Sequence, residues 1–258
     1  MEAFFIAHGD AFAATAFTRG PWDPGAQHGG PPSALIGRAL ERCEPREEMR
    51  IARVTFDILR PVPIATLRVE ARLVRPGRSV ELLEATLRDE AGTDLVRATA
   101  WRIRTSDTGI EAHEEPPPPG PEDGAHRPFF PTGEDVGYHT AMEFRFVAGA
   151  FLEPGPATVW MRARVPVVAG EEPTPLQRVL VAADSGNGAS ATLDWRDHLF
   201  INCDLTVHLA RHPVDEWVCL DAVTQPEPDG VGIADTALYD TRGKIGRAVQ
   251  SLLVAKRQ

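Results

Sequence analysis

A chain of 258 residues with 43% hydrophobic and 25% charged residues has an ordinary globular composition, enough for one large domain or two of about 100–150 residues. Its formal net charge of −10 argues against a general binder of nucleic acid or anionic membrane, both of which favour basic faces. The three scattered cysteines, Cys43, Cys203 and Cys219, show no CxxC or Cys/His spacing, so neither a disulfide nor a metal site is expected. The opening stretch MEAFFIAHGDAFAATAF carries Glu2, His8 and Asp10 without a basic region, unlike a signal peptide. No apolar run reaches the ~18 residues of a membrane span. The expected location is the cytosol.

In chain order, the spacing predicts a short strand in ATAFTRGPW (14–22) and a helix in PPSALIGRALERC (31–43). Four strand-like segments rich in Val, Leu, Thr and Ala follow, the last two joined by DEAG (89–92), which suits a tight turn. Residues 105–137 are rich in proline, glycine and acid, and Pro116 to Pro119 favour an extended, stiff linker. The order then recurs: a strand in ATVWMRARVPV (157–167), a helix in TPLQRVLVAADSG (174–186), and four strands, the last two joined by DTRG (240–243). One helix followed by consecutive antiparallel strands is an α+β arrangement, not an alternating α/β one.

The halves are related by an internal repeat. VTFDILRPVP (54–63) aligns with LTVHLARHPV (205–214), so that Thr55 falls on Thr206 and Arg60 on Arg211, an offset of 151. The same register brings Val80 onto Val231, Leu87 onto Leu238, Asp89 onto Asp240 and Gly92 onto Gly243. After a one-residue gap Arg97 meets Arg247 and Ala98 meets Ala248. The expected division is 1–108, a linker at 109–135, and 136–258.

Two places stand out as candidate chemistry. HGG (28–30) immediately precedes the Pro-Pro helix start, so Gly30 lies where free N–H groups and the helix dipole favour negative charge. Such glycines also serve simply as a turn before a helix, and His28 reads as a structural or pocket-lining residue. The second place is AADSGNG (182–188), where Asp184 interrupts an apolar helix. Aligning the helix starts puts HGG opposite TPL (174–176) and Asp184 near Arg38; the strand register puts Asn202 opposite Ile51 and Gln250 opposite Ala100. One half therefore holds an acid and two amides where the other has no match. A helix cap, or an ion pair with Arg178 or Arg196, is the alternative for Asp184. Structural amides satisfied by backbone are the alternative for Asn202 and Gln250. GNG fits no phosphate-loop or dinucleotide pattern, and Ser185 lies in no G-x-S-x-G elbow.

The ordered set QHGGPPSALIGRAL, AADSGNG, LFINCDLTVHLARHP and RAVQSLLVAKR resembles the double-hotdog acyl-CoA thioesterases, the bacterial type II and peroxisomal family. The resemblance implies two fused hotdog copies, each an antiparallel sheet wrapped around a central helix. It implies hydrolysis of a fatty acyl-CoA, with no cofactor or metal and with acyl-CoA as the partner. That family holds and activates a water with an Asp, a small polar residue and a Gln. These roles carry onto Asp184, Asn202 and Gln250, with Asn202 departing from the family's hydroxyl.

On this view Asp184 takes a proton from the water or attacks as a nucleophile, while the N–H of Gly30, with Gly29 and His28 beside it, polarises the thioester carbonyl. The acyl chain would lie in an apolar tunnel between helix and sheet, and Arg75 and Arg78 are candidates for the CoA phosphates. A homo-oligomer is allowed without being required. The rival readings are a hotdog hydratase or dehydratase, which wants an Asp–His pair in one loop, and a non-catalytic acyl-CoA or acyl-carrier binder. AADSGNG is followed by no histidine until His198. A buried carboxylate is costly for a mere binder.

Overall fold

The computed structural model describes residues 2–112 and 115–257. The first half opens with a hairpin, β1 (Phe5–His8) and β2 (Ala11–Ala14), followed by helix α1 (Gly30–Arg42). Strands β3 (Met49–Ile58), β4 (Thr66–Arg75), β5 (Val80–Asp89) and β6 (Asp94–Arg104) complete it. The strand expected at 14–22 instead ends at Ala14, because the Thr15 hydroxyl accepts from the Phe17 N–H and starts a 3-10 turn over Ala16–Thr18.

The second half has a short α2 (Tyr138–Ala141), then β7 (Met142–Ala150) and β8 (Glu153–Ala163). Helix α3 (Pro175–Ala183) and a single turn α4 (Gly186–Ala189) follow. The chain closes with β9 (His198–Asn202), β10 (Asp204–Leu209), β11 (Val218–Pro226), β12 (Val231–Asp240) and β13 (Gly243–Lys256). The two expected hairpins form, each with its aspartate stabilising the turn. Asp89 accepts from the Thr93 N–H, and Asp240 from the N–H groups of Arg242 and Gly243.

Among the described residues the strands make one antiparallel sheet in the order β1-β2-β4-β5-β6-β3-β10-β13-β12-β11-β8-β7, with β9 added on β13. The halves meet at β3 and β10, and Thr55 faces Thr206 there, its repeat equivalent, with hydroxyl oxygens 3.2 Å apart. On either side Val54 faces Val207 and Phe56 faces Leu205. In an antiparallel pair, a residue opposite its own equivalent marks a twofold axis. The repeat read from the sequence is therefore also the symmetry of the central strand pair.

Helices α1 and α3 pack against each other over one continuous core drawn from both halves. α3 starts at Thr174, whose hydroxyl accepts from the Gln177 N–H, with Pro175 in the first turn. The caps, Gly29 and Thr174, shift the expected helix equivalence by one residue, so Asp184 falls opposite Ala39 and not Arg38. Leu180 is fully buried between the helices and fills the space a side chain at Gly37 would occupy. Leu180→Ala is expected to cost about 2–5 kcal/mol of stability, read as a lower midpoint in denaturant unfolding; a loss below ~1 kcal/mol would mean the helix interface collapses around the gap.

Residues 105–137 hold no helix or strand among the described residues, as a proline-rich stretch should. The segment is nevertheless docked on the second half. Trp160 Nε1 donates to the Pro119 carbonyl at 2.6 Å, Ala125 bridges to Phe146, and Phe129 and Phe130 pack on Phe151. Burial of two aromatic rings offsets the ordering of a chain already stiffened by proline. No helix among the described residues is long and apolar enough to cross a membrane.

Candidate active site

Asp184 is the residue at which α3 stops. The Ser185 N–H bonds three residues back, to Ala182, so the chain tightens there before restarting as α4. Gly186 then lies against the Thr236 hydroxyl on β12 with no room for a side chain, so the glycine after the acid makes space for the sheet. Asp184 itself is buried.

Two strands of the same half reach its carboxylate. On β13 the inward residues Ala248, Gln250 and Leu252 alternate with outward ones, which places Gln250 under the helix. Gln250 Nε2 donates to the Asp184 backbone carbonyl at 3.1 Å and to Oδ1 at 3.2 Å. Its Oε1 accepts from the Asn187 N–H at 3.3 Å, which sets which way the amide points. On the neighbouring strand Asn202 Nδ2 donates to Asp184 Oδ1 at 2.9 Å. Asn202 sits where β9 breaks from β10 at Cys203, the position equivalent to the irregularity of β3 between Ile51 and Arg53. Such a break re-aims a side chain.

The other half supplies the opposite wall. A Cβ at Gly29 would stand 2.8 Å from both Asp184 carboxylate oxygens, and one at Gly30 would overlap the Val181 carbonyl. Bare backbone is thus required where the start of α1 meets the end of α3. Pro31 and Pro32 have no N–H, so the donors at this helix start are Gly29 and Gly30. The Gly30 N–H, expected to be open to a substrate carbonyl, is donated to His28 Nδ1 at 3.0 Å. The Gly29 N–H makes no hydrogen bond among the described residues.

His28 is more than pocket lining. Its Nδ1 lies 3.2 Å from Asp184 Oδ2, and its ring stacks on Tyr138 at 3.7 Å between centroids and 4° between planes. Tyr138 is held in turn by the Val181 carbonyl and the Ser185 hydroxyl. Burial pushes the His28 imidazole below its usual pKa, against the opposing pull of the Asp184 charge. A histidine on one half and an acid on the other carry no shared sequence signal, so this pair was not foreseen; nor were Asn187 and Tyr138.

The alternative partners of Asp184 are engaged elsewhere: Arg178 with Glu172, and Arg196 with Asp194. Arg75 and Arg78 fall at the β4–β5 hairpin, beside Arg104, in the half that carries Ile51 and Ala100. A cleft of about 550 Å³ opens at the start of α3, lined by Val165, Val167, Glu171, Arg178 and Val181, and does not include Asp184.

The arrangement is a buried carboxylate with one oxygen fixed by two amides and the other turned toward a helix start. Two family models match the sequence: an acyl-CoA thioesterase N-terminal domain over residues 18–103 and an acyl-CoA thioesterase C-terminal domain over 110–254. No curated protein matches it significantly. A solved structure from Thermobifida fusca YX, assigned as a thioesterase II, is 18% identical with a TM-score of 0.74, covering 97% of this chain and 95% of that one. A hot dog fold protein from Alicyclobacillus acidocaldarius is 17% identical, TM-score 0.72, covering 98% and 96%. An acyl-CoA thioesterase II from Mycobacterium marinum is 14% identical, TM-score 0.63, covering 83% of each. At these identities the structures show a shared hotdog fold; with the two domain models spanning most of the sequence, the chain belongs to the acyl-CoA thioesterase family.

Proposed function

We propose that this protein hydrolyses a fatty acyl-CoA to the free acid and CoA at a site formed jointly by two fused hotdog halves, 1–108 and 136–258, joined through 109–135. The observation that carries the reading is the Asp184 carboxylate, held at Oδ1 by Asn202 and Gln250 and facing the start of α1 with Oδ2. In the reaction a water gives a proton to Asp184 as its oxygen attacks the thioester carbon. Charge on the carbonyl oxygen meets an N–H at the start of α1, and the C–S bond then breaks, the proton held by Asp184 passing to the thiolate sulfur as CoA leaves. Both Gln250 donors are engaged by Asp184, so Gln250 acts by holding the base, while the Asn202 side-chain oxygen is left to hold the water.

Cations for the CoA phosphates are better sought at the end of β13 than at Arg75 and Arg78. Arg257 lies 5.5 Å over the Trp22 ring, and Trp22 packs on Phe200, two residues before Asn202. We place the protein in the cytosol with acyl-CoA as its partner.

Gln250→Ala and Asn202→Ala are expected to lower kcat with little change in KM, since their contacts serve the base and water and not the acyl chain. Steady-state kinetics decide: a raised KM with kcat unchanged would make them pocket-lining residues. A second reading, hydration of an enoyl-CoA, gains support from the Asp184–His28 contact, which supplies in space the pair absent from the sequence order. One panel of saturated and 2-enoyl acyl-CoAs separates the two. Hydrolysis releases free thiol, whereas hydration consumes the double bond without releasing thiol. A mere binder does neither.

A further inference from the structure

His28 Nδ1 faces two partners with opposite demands. It lies 3.0 Å from the Gly30 nitrogen, which can only donate, and 3.2 Å from Asp184 Oδ2, which as a carboxylate can only accept. One ring nitrogen of a neutral imidazole cannot meet both at once. Without a proton on Nδ1, it accepts from Gly30, and its lone pair also confronts the carboxylate. With a proton there, it donates to Asp184, and the Gly30 N–H is left without an acceptor. Tyr138, itself hydrogen-bonded to Val181 and Ser185, lies flat against the ring and fixes its plane, and a flip within that plane would put a carbon in the place of Nδ1 and lose the Gly30 bond.

We propose that His28 is a positioning residue that couples the base to the oxyanion donor, the location of its single proton deciding whether the Gly30 N–H is tied up internally or presented to the substrate carbonyl. The inference rests on the reading of Asp184 as base. The two forms are tautomers with the same proton count, so the change needs no added reactant: the proton leaves Nε2 and one arrives at Nδ1. In the Nδ1–H form the hydrogen bond steadies the Asp184 anion, and the freed Gly30 N–H joins that of Gly29 at the start of α1. Burial lowers the pKa of the ring and so favours its neutral form, to which both tautomers belong. The titratable groups facing the ring are Asp184, from the end of α3, and Tyr138, from α2, whose hydroxyl burial pushes upward and away from ionisation.

The test combines a variant with a spectroscopic readout on the intact protein. His28→Asn carries an amide near the place of Nδ1 but has no titrating ring. It is expected to lower kcat by about 10²-fold to 10³-fold, the scale of one lost oxyanion donor, with KM little changed and the acid limb of the pH profile displaced. In the wild-type protein, ¹⁵N spectra should show His28 Nδ1 gaining a proton, and the Gly30 amide signal shifting, when a non-hydrolysable acyl-CoA thioether ketone binds. Unchanged ring and amide signals on binding would overturn the coupling, even if His28→Asn folds poorly. A folded His28→Asn with wild-type kcat and pH profile would overturn it as well, while leaving the base in place. Full activity in Asp184→Asn would instead remove the underlying reading.

Discussion

Asp184→Asn is expected to fold and to lose about 10²-fold or more in kcat, the scale of a removed general base. The substitution keeps the shape of the side chain, and an asparagine oxygen accepts from Asn202 and Gln250 as Oδ1 does now. Its amide nitrogen then faces His28 Nδ1 in place of a carboxylate oxygen, sharing with the Gly30 N–H a lone pair that no longer confronts an anion. What is lost is the ability to take a proton from water. Thiol release from a saturating acyl-CoA, with a thermal melt to establish folding, measures the effect. A folded variant turning over at the wild-type rate would remove Asp184 from the chemistry.

Gly29→Ala should be nearly as damaging, although it lies in the other half of the chain. The added methyl would stand 2.8 Å from both carboxylate oxygens, closer than ordinary contact, so Asp184 must turn and give up its bonds to Asn202 and Gln250. Displacing a catalytic group by about 1 Å can cost 10²-fold in kcat/KM. The mirror-related place behaves differently. Thr174 there donates to Glu41, Arg38 makes two bonds of 2.6 Å to Glu171, and the strand equivalents are Ile51 and Ala100. Ala39 stands there in the place of Asp184, and the nearby acids are tied up, Glu171 by Arg38 and Glu41 by Thr174 and Gln177. Arg38→Gln is therefore expected to leave turnover per chain unchanged, and a non-hydrolysable acyl-CoA analogue to bind with one equivalent per chain. Two equivalents, or half the activity lost on removing Arg38, would show a second working site.

The amino-acid sequence by itself determined the repeat and the candidate carboxylate and amides. Strand pairing preserves register, so Thr55 and Thr206, matched as letters, are matched again across β3 and β10. Asp184 and Gln250 were legible because a charge or an amide in an apolar run must be answered by a partner, and the equivalent residues of the other half offer none. Gly29 and Gly30 were visible as a helix start, but their necessity was not. It comes from the approach of α1 to the end of α3, which depends on how two helices with no shared sequence signal settle over a common core. The same packing decided that His28 meets Asp184, that the Gly30 N–H is engaged, and that Phe129 and Phe130 draw the proline-rich segment onto the second half. Periodicity and register act along the chain and can be read there. The partner of a buried polar group is chosen across the core, where only the packed structure specifies which atoms lie within hydrogen-bond reach.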